Sequence, residues 1–215
     1  MSQASVCQIV REPREVRREL DELGIDESFV RSVSLAAASA RADALPIDPK
    51  GAPGTLSYLM GVRAKRLILL PRGWRASTLD NIEATVNHEL GVQLVFQNVG
   101  RACADNDPEP VSAKGPASRR LVQSGQGELF FTPMNRRVVT LGQAPKVWLL
   151  CVSADDESVQ AEVSCPKVFE GGMFEGFDKR IFVVDESFAP DIGHDPSRST
   201  NDDPGLDFDV VVTRK

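Results

Sequence analysis

Apolar residues recur along this chain with two periods, and the first is helical. Residues 13–23 (PREVRRELDEL) read as a short polar helix: Pro13 suits the first helical position, and Gly24 suits a left-handed C-terminal cap. Asp26 suits the N-cap of a second helix, with Glu27 in its first turn. Phe29, Val30, Val33, Ala36, Ala37 and Ala40 share one side of that helix, which is expected to end near Ala44, ahead of Pro46. The pair predicts an N-terminal helical hairpin occupying residues 1–45. The stretch LPIDPKGAPG (45–54), with three prolines and two glycines, reads as a linker. Thr55 then suits the cap of a third helix. Its residues Leu56, Leu59, Met60, Arg63, Leu67 and Leu70 follow a three-to-four spacing, which predicts packing on a sheet, with Arg63, Lys65 and Arg66 marking a basic outer edge.

Beyond residue 81 the period changes to two. Ile82, Ala84 and Val86 alternate with polar neighbours, as do Val92, Leu94 and Phe96, and His88–Gly91 lies between. This predicts an antiparallel hairpin. KVWLLCVSADDESVQAEVSC (146–165) predicts a second, turning at Asp155–Glu157, and KRIFVVDES (179–187) predicts a further strand. EGGMFEGF (170–177) reads as a bulged turn between strands. SRRLVQSGQGELF (118–130) reads as a short amphipathic helix, and LDFDVVVTRK (206–215) as a returning edge strand. Residues 100–118 and 189–205 have no period and are expected to be mobile loops.

Helices first and strands afterwards predict an α+β fold: the helical hairpin, then an antiparallel, mostly meander-type sheet with one or two packed helices, over residues 54–215. The 215 residues, 41% hydrophobic and 26% charged, suffice for one core with a small appended helical unit. No apolar run approaches a membrane span, and the first residues lack the pattern of a signal peptide, so a cytoplasmic protein without a membrane partner is expected.

Charge sharpens the picture further. The net charge of −6 is uneven. Lys+Arg stand against Asp+Glu as 13 to 15 in residues 1–110, 6 to 1 in 111–150 and 6 to 15 in 151–215. A basic middle and an acidic tail either face different partners or are two solvated faces.

Motifs that would carry chemistry are missing or incomplete. Four cysteines (Cys7, Cys103, Cys151, Cys165) form no CxxC pair, and His88 and His194 are the two histidines, so no metal or other cofactor is expected. There is no phosphate-binding glycine loop and no GxSxG elbow. His88-Glu89 lacks the second histidine of HExxH and falls in a turn. Asp48-Pro49-Lys50 has a nuclease-like spacing, but Pro49 argues against a central strand. The acidic tail, from Asp191 to Asp209, lacks the ligand rhythm of a calcium loop.

What remains is basic and aromatic. Arg63, Arg66, Arg72, Trp74 and Arg75 form one set; Lys114, Arg119, Arg120, Arg136 and Arg137 form another. Arginines contact phosphates and an exposed tryptophan stacks on bases, so these ten residues are the candidate nucleic-acid or anion contacts. An acidic pI of about 5.1 weighs against it. Trp74, between a helix end and a strand start, also suits a buried corner plug, with Arg72 and Arg75 extending outward.

Through PRGWRASTLDN (71–81), SAKGPASRRLVQSGQGELF (112–130) and the LDFDVVVTRK end, the chain resembles uncharacterised bacterial proteins of about this size. That resemblance implies no known activity; it points to an accessory gene of mobile elements or defence loci. The expectation is therefore a non-enzymatic interaction protein that docks a protein partner. Alternatives are contact with nucleic acid, an enzyme of unrecognised type, and self-association into a homo-oligomer.

Overall fold

The computed structural model describes residues 7–79, 82–111, 145–167, 169–170, 173–174 and 176–187. In chain order these form β1 (Gln8–Val10), α1 (Pro13–Glu22), α2 (Glu27–Ala42), α3 (Ala52–Leu69), a 3-10 turn (Leu70–Arg72), β2 (Arg75–Leu79), β3 (Ile82–Asn87), β4 (Val92–Asn98), β5 (Lys146–Ala154), β6 (Ser158–Pro166), β7 (Phe169–Glu170), β8 (Met173–Phe174) and β9 (Phe177–Ser187).

The helix ends follow their local chemistry. Glu12 caps α1 by accepting from the amides of Arg14 and Glu15, Pro13 opens the helix, and Gly24, at φ +70°, closes it. Asp26 caps α2 by accepting from the Phe29 amide at 2.7 Å. The third helix begins one turn earlier than its sequence suggests. Pro53 sits in its first turn, and the Thr55 hydroxyl donates back to the Gly51 carbonyl at 3.0 Å instead of capping.

Seven strands make one sheet in the order β1-β9-β6-β5-β4-β3-β2, and β7 and β8 pair separately. The expected antiparallel meander is corrected here, because the sheet is mixed. β2-β3-β4 and β5-β6-β9 are antiparallel runs, but β4 lies parallel to β5 and β1 parallel to β9. The reason is the long connection: residues 99–145 carry the chain from the end of β4 back to the start of β5, so the two strands run the same way. The hairpin expectation is corrected too. Among the described residues the main helical neighbour of α2 is α3, not α1, and three helices rather than one or two cover the sheet.

All three helices lie on one face: α1 over β9, α2 over β5, β6 and β9, and α3 over β3 and β4. Strand alternation sends Leu94, Phe96, Leu150, Val163 and Ile181 into this helical layer, where Leu20, Phe29, Val30 and Val33 meet them in one core. The opposite face carries a smaller cluster, including Ala84, Val95, Val147, Leu149 and Phe177, under residues 99–103. Residues 100–111, the first part of the expected mobile loop, are fastened. Gly100 donates to the Glu109 carbonyl at 2.9 Å, and Val111 donates to the Asn98 carbonyl at 3.2 Å. Residues 112–118 and 189–205, the helix expected at 118–130 and the edge strand expected at 206–215 lie outside the described residues.

Candidate functional site

The site is built on α3, and the orientation of that helix is its first surprise. The residues α3 buries are Ser57, Gly61, Val62, Lys65 and Leu69. The leucine stripe expected to pack on the sheet faces outward instead: Leu59 is 54% exposed, Leu67 70% and Leu70 41%. Two contacts explain the inversion. Gly61 lies against the Phe96 ring so closely that a Cβ there would come within 2.4 Å of it, so the glycine sets how near helix and strand approach. Lys65 lays its stem along the same seam and donates its ammonium to the Leu94 carbonyl at 2.7 Å and the Glu83 carbonyl at 3.4 Å. Burial, reinforced by the nearby Arg66 charge, lowers the Lys65 pKa to about 7, against a smaller opposing effect of Glu83.

Between α3 and the β2–β3 end of the sheet lies a groove of about 560 Å³, walled by Tyr58, Leu59, Val62, Leu67, Leu70 and Pro71. Arg63, Arg66 and Glu83 supply its charges. Arg66 is ion-paired with Glu83, which also accepts from the Thr78 hydroxyl at 2.9 Å. That hydroxyl, together with Arg66, holds the Glu83 carboxyl below its ordinary range. The Arg66 Nε has no hydrogen-bond partner among the described residues. Arg63 is exposed, with its Nη1 3.4 Å from the Met60 sulfur and no carboxylate partner among the described residues. Among the described residues β2 ends the sheet, with Arg75, Ala76 and Thr78 exposed.

The sequence-derived contacts are therefore divided. Arg63 and Arg66 line the groove. Arg72 reaches back to Asp26 at 3.2 Å, beside the start of α2. Thr78 meets Glu83 on the α3 side of β2, so alternation turns Arg75 to the opposite side. Trp74 is 4% exposed and joins the main core, next to Gly24. Its amide donates to the Leu69 carbonyl at 3.3 Å while Gly73, at φ +87°, turns the chain, so it plugs the corner between α3 and β2. Lys114, Arg119, Arg120, Arg136 and Arg137 lie outside the described residues. His88 and Glu89 sit exposed in the β3–β4 turn, where Asn87 accepts from the amides of Glu89 and Leu90. Asp48 and Lys50 fall in the turn between α2 and α3, not on a strand.

The sheet's other face holds charges that sequence reading passed over. Arg180 on β9 donates twice to Glu162 on β6, both bonds 2.8 Å, and both side chains are fully buried. Ser164 donates to Glu162 at 2.7 Å, and so does the amide of Cys103, held at φ +53°. Asp107 lies 3.6 Å from Arg180, and the Arg180 guanidinium stacks over Phe182 at 5.0 Å. This network fastens the 99–111 loop to the sheet. A cavity of about 790 Å³ opens beside it, lined by side chains of both charges, including Arg11, Arg101, Asp105 and Asp185. In sequence, VQAEVSC offers Glu162 as one solvent-facing member of an alternating strand. The signal that could have found it is a matching Arg180 in another alternating strand.

Among the described residues, no helix is long and apolar enough to cross a membrane, and no group of three or more His, Cys, Asp or Glu side chains is placed to hold a metal ion. No protein-family model matches the chain, and neither a curated protein nor a solved structure matches it.

Proposed function

We propose that this chain is an interaction protein that docks a protein partner through the groove beside α3. The observation that carries the reading is the inversion of α3, whose lysine and glycine stripe faces the sheet while its leucine stripe faces out. Contiguous exposed apolar side chains in a concave setting, rimmed by charge, are the usual mark of a binding surface. Burying each leucine against a partner is worth roughly 1.5–3 kcal/mol when complete. The dispersal of Arg63, Arg72 and Arg75 over different surfaces gives less support to a nucleic-acid face, which needs several cations along one phosphate track.

Photo-crosslinking in cells tests the reading. A benzophenone amino acid at position 67 is expected to capture a specific protein. The same probe at position 47, where Ile47 is 89% exposed in the turn before α3, is expected to capture none. Equal, diffuse labelling at both positions would end the proposal.

A further inference from the structure

The layering of the fold narrows what the groove accepts. Neighbouring strands lie about 4.8 Å apart and packed helices about 8–10 Å apart, so one helix covers roughly two strands. α1, α2 and α3 cover the sheet from β9 to β3. α3 packs on β3 and β4 and reaches β2, the last of the described strands, through Arg66, whose guanidinium lies 3.5 Å from the Ser77 carbonyl; Ala76 and Thr78 of β2 are exposed. The groove beside α3 includes Glu83 of β3, the strand next to β2.

From this layering and the charge at its rim, and resting on the docking reading above, we infer that the groove receives an amphipathic helix from a partner protein, whose carboxylates meet Arg63. Such a helix would lie at the level of Leu59, Leu67 and Leu70 and complete the helical layer. A strand added to β2 would lie in the plane of the sheet, one layer below those leucines, and would leave them open. A second copy of the chain fits poorly, because a two-fold pairing of α3 with itself brings Arg63 towards its own counterpart in the middle of the stripe. The rim is cationic on balance. Glu83 is already held by Arg66 and Thr78, whereas Arg63 has no carboxylate and the Arg66 Nε has no acceptor among the described residues. A helix with apolar residues at three-to-four spacing and glutamates along its flank is complementary to that rim.

The test uses the full chain and two fluorescein-labelled peptides of about five helical turns. Both carry the same leucine stripe, flanked in one by glutamates and in the other by lysines. Fluorescence anisotropy is expected to show the glutamate peptide binding at least about tenfold more tightly at low ionic strength, with the gap closing as salt is added. Leu67→Asp should abolish binding of both, and Arg63→Glu should reverse the preference. Both positions are exposed, and an unchanged circular dichroism melt verifies that each variant is folded. Equal binding of the two peptides, binding that survives Leu67→Asp, or no binding of either overturns the inference. If position 67 still crosslinks a cellular protein in that event, the docking reading stands and only the acidic helix is lost.

Discussion

Lys65 and Arg180 are both buried cations, and the protein treats them in opposite ways. Lys65, between α3 and the sheet, has its charge opposed by its surroundings: two backbone carbonyls accept its hydrogen bonds, no carboxylate among the described residues does, and burial brings its pKa to about 7. Arg180, on the other face, also meets burial that opposes its charge. The hydrogen bonds and charge of Glu162, helped by Asp107, more than offset it, and the Arg180 pKa is raised. A guanidinium presents a planar fork that matches a carboxylate, while an ammonium is a point charge that gives up its proton when desolvated. One face of the sheet is thus held by a cation that can become neutral, the other by one that cannot.

Glu162→Ala should disturb the buried cations most severely. It leaves Arg180 buried without its partner and is expected to cost about 3–5 kcal/mol, read from urea unfolding midpoints. Replacing both residues by apolar ones of similar volume should restore much of that loss; a double variant as unstable as the single one would refute the ion-pair account.

On the other face, Gly61→Ala drives a Cβ into the Phe96 ring and is expected to cost about 1–3 kcal/mol, with partial rescue by Phe96→Leu. A neutral Gly61→Ala would mean that the close approach of helix and strand does not set the orientation of α3.

The titration of Lys65 gives a signed effect, spread over several pH units. Its pKa when folded, about 7, lies below the ordinary 10.5, so between these values the unfolded chain binds more protons than the folded one. The burden of charging Lys65 is full below pH 7, and stability gains steadily as pH rises towards 10.5. Lys65→Met should be close to neutral or stabilising at pH 6, and it should flatten the rise seen in the parent protein. An identical pH profile in the two proteins would show that Lys65 does not titrate in this window.

The smallest effect is at Cys103. Burial, and then the Glu162 charge, push its thiol up to about 12, so iodoacetamide should label it slowly at pH 8 in the folded protein. Glu162→Gln should quicken that labelling. Fast labelling of the parent protein would contradict the placement of the thiol beside a buried carboxylate.

Much of the fold was legible wherever a signal is local. Pro13, Gly24 and Asp26 mark the ends of α1 and α2, and the alternation around His88–Gly91 and Asp155–Glu157 marks the β3–β4 and β5–β6 hairpins. The parallel joins were not legible, since nothing in β4 or β1 names a partner far along the chain. β2 was missed because RASTL offers little apolar alternation, and β1 because it is three residues long. α3 misled because a helical wheel ranks its leucines above its lysine. Periodicity cannot weigh the close approach allowed by Gly61 or the carbonyls that await the Lys65 ammonium. Arg63 and Arg66 line the groove, while the leucines that wall it read from periodicity as inward-facing.

The seam between β4 and β5 also has a kinetic consequence. Each antiparallel run on either side of it joins strands near one another in the chain, with only the small β7–β8 pair between β6 and β9, so each can form locally. Joining them requires residues 99–145 to be spanned first, at an entropic cost that must be met before any seam contact repays it. Refolding should therefore be slowed by this closure, as it should by the longer one that joins β1 to β9. Substitutions at Phe96 or Leu150, which pair across the seam, should slow folding rather than merely hasten unfolding.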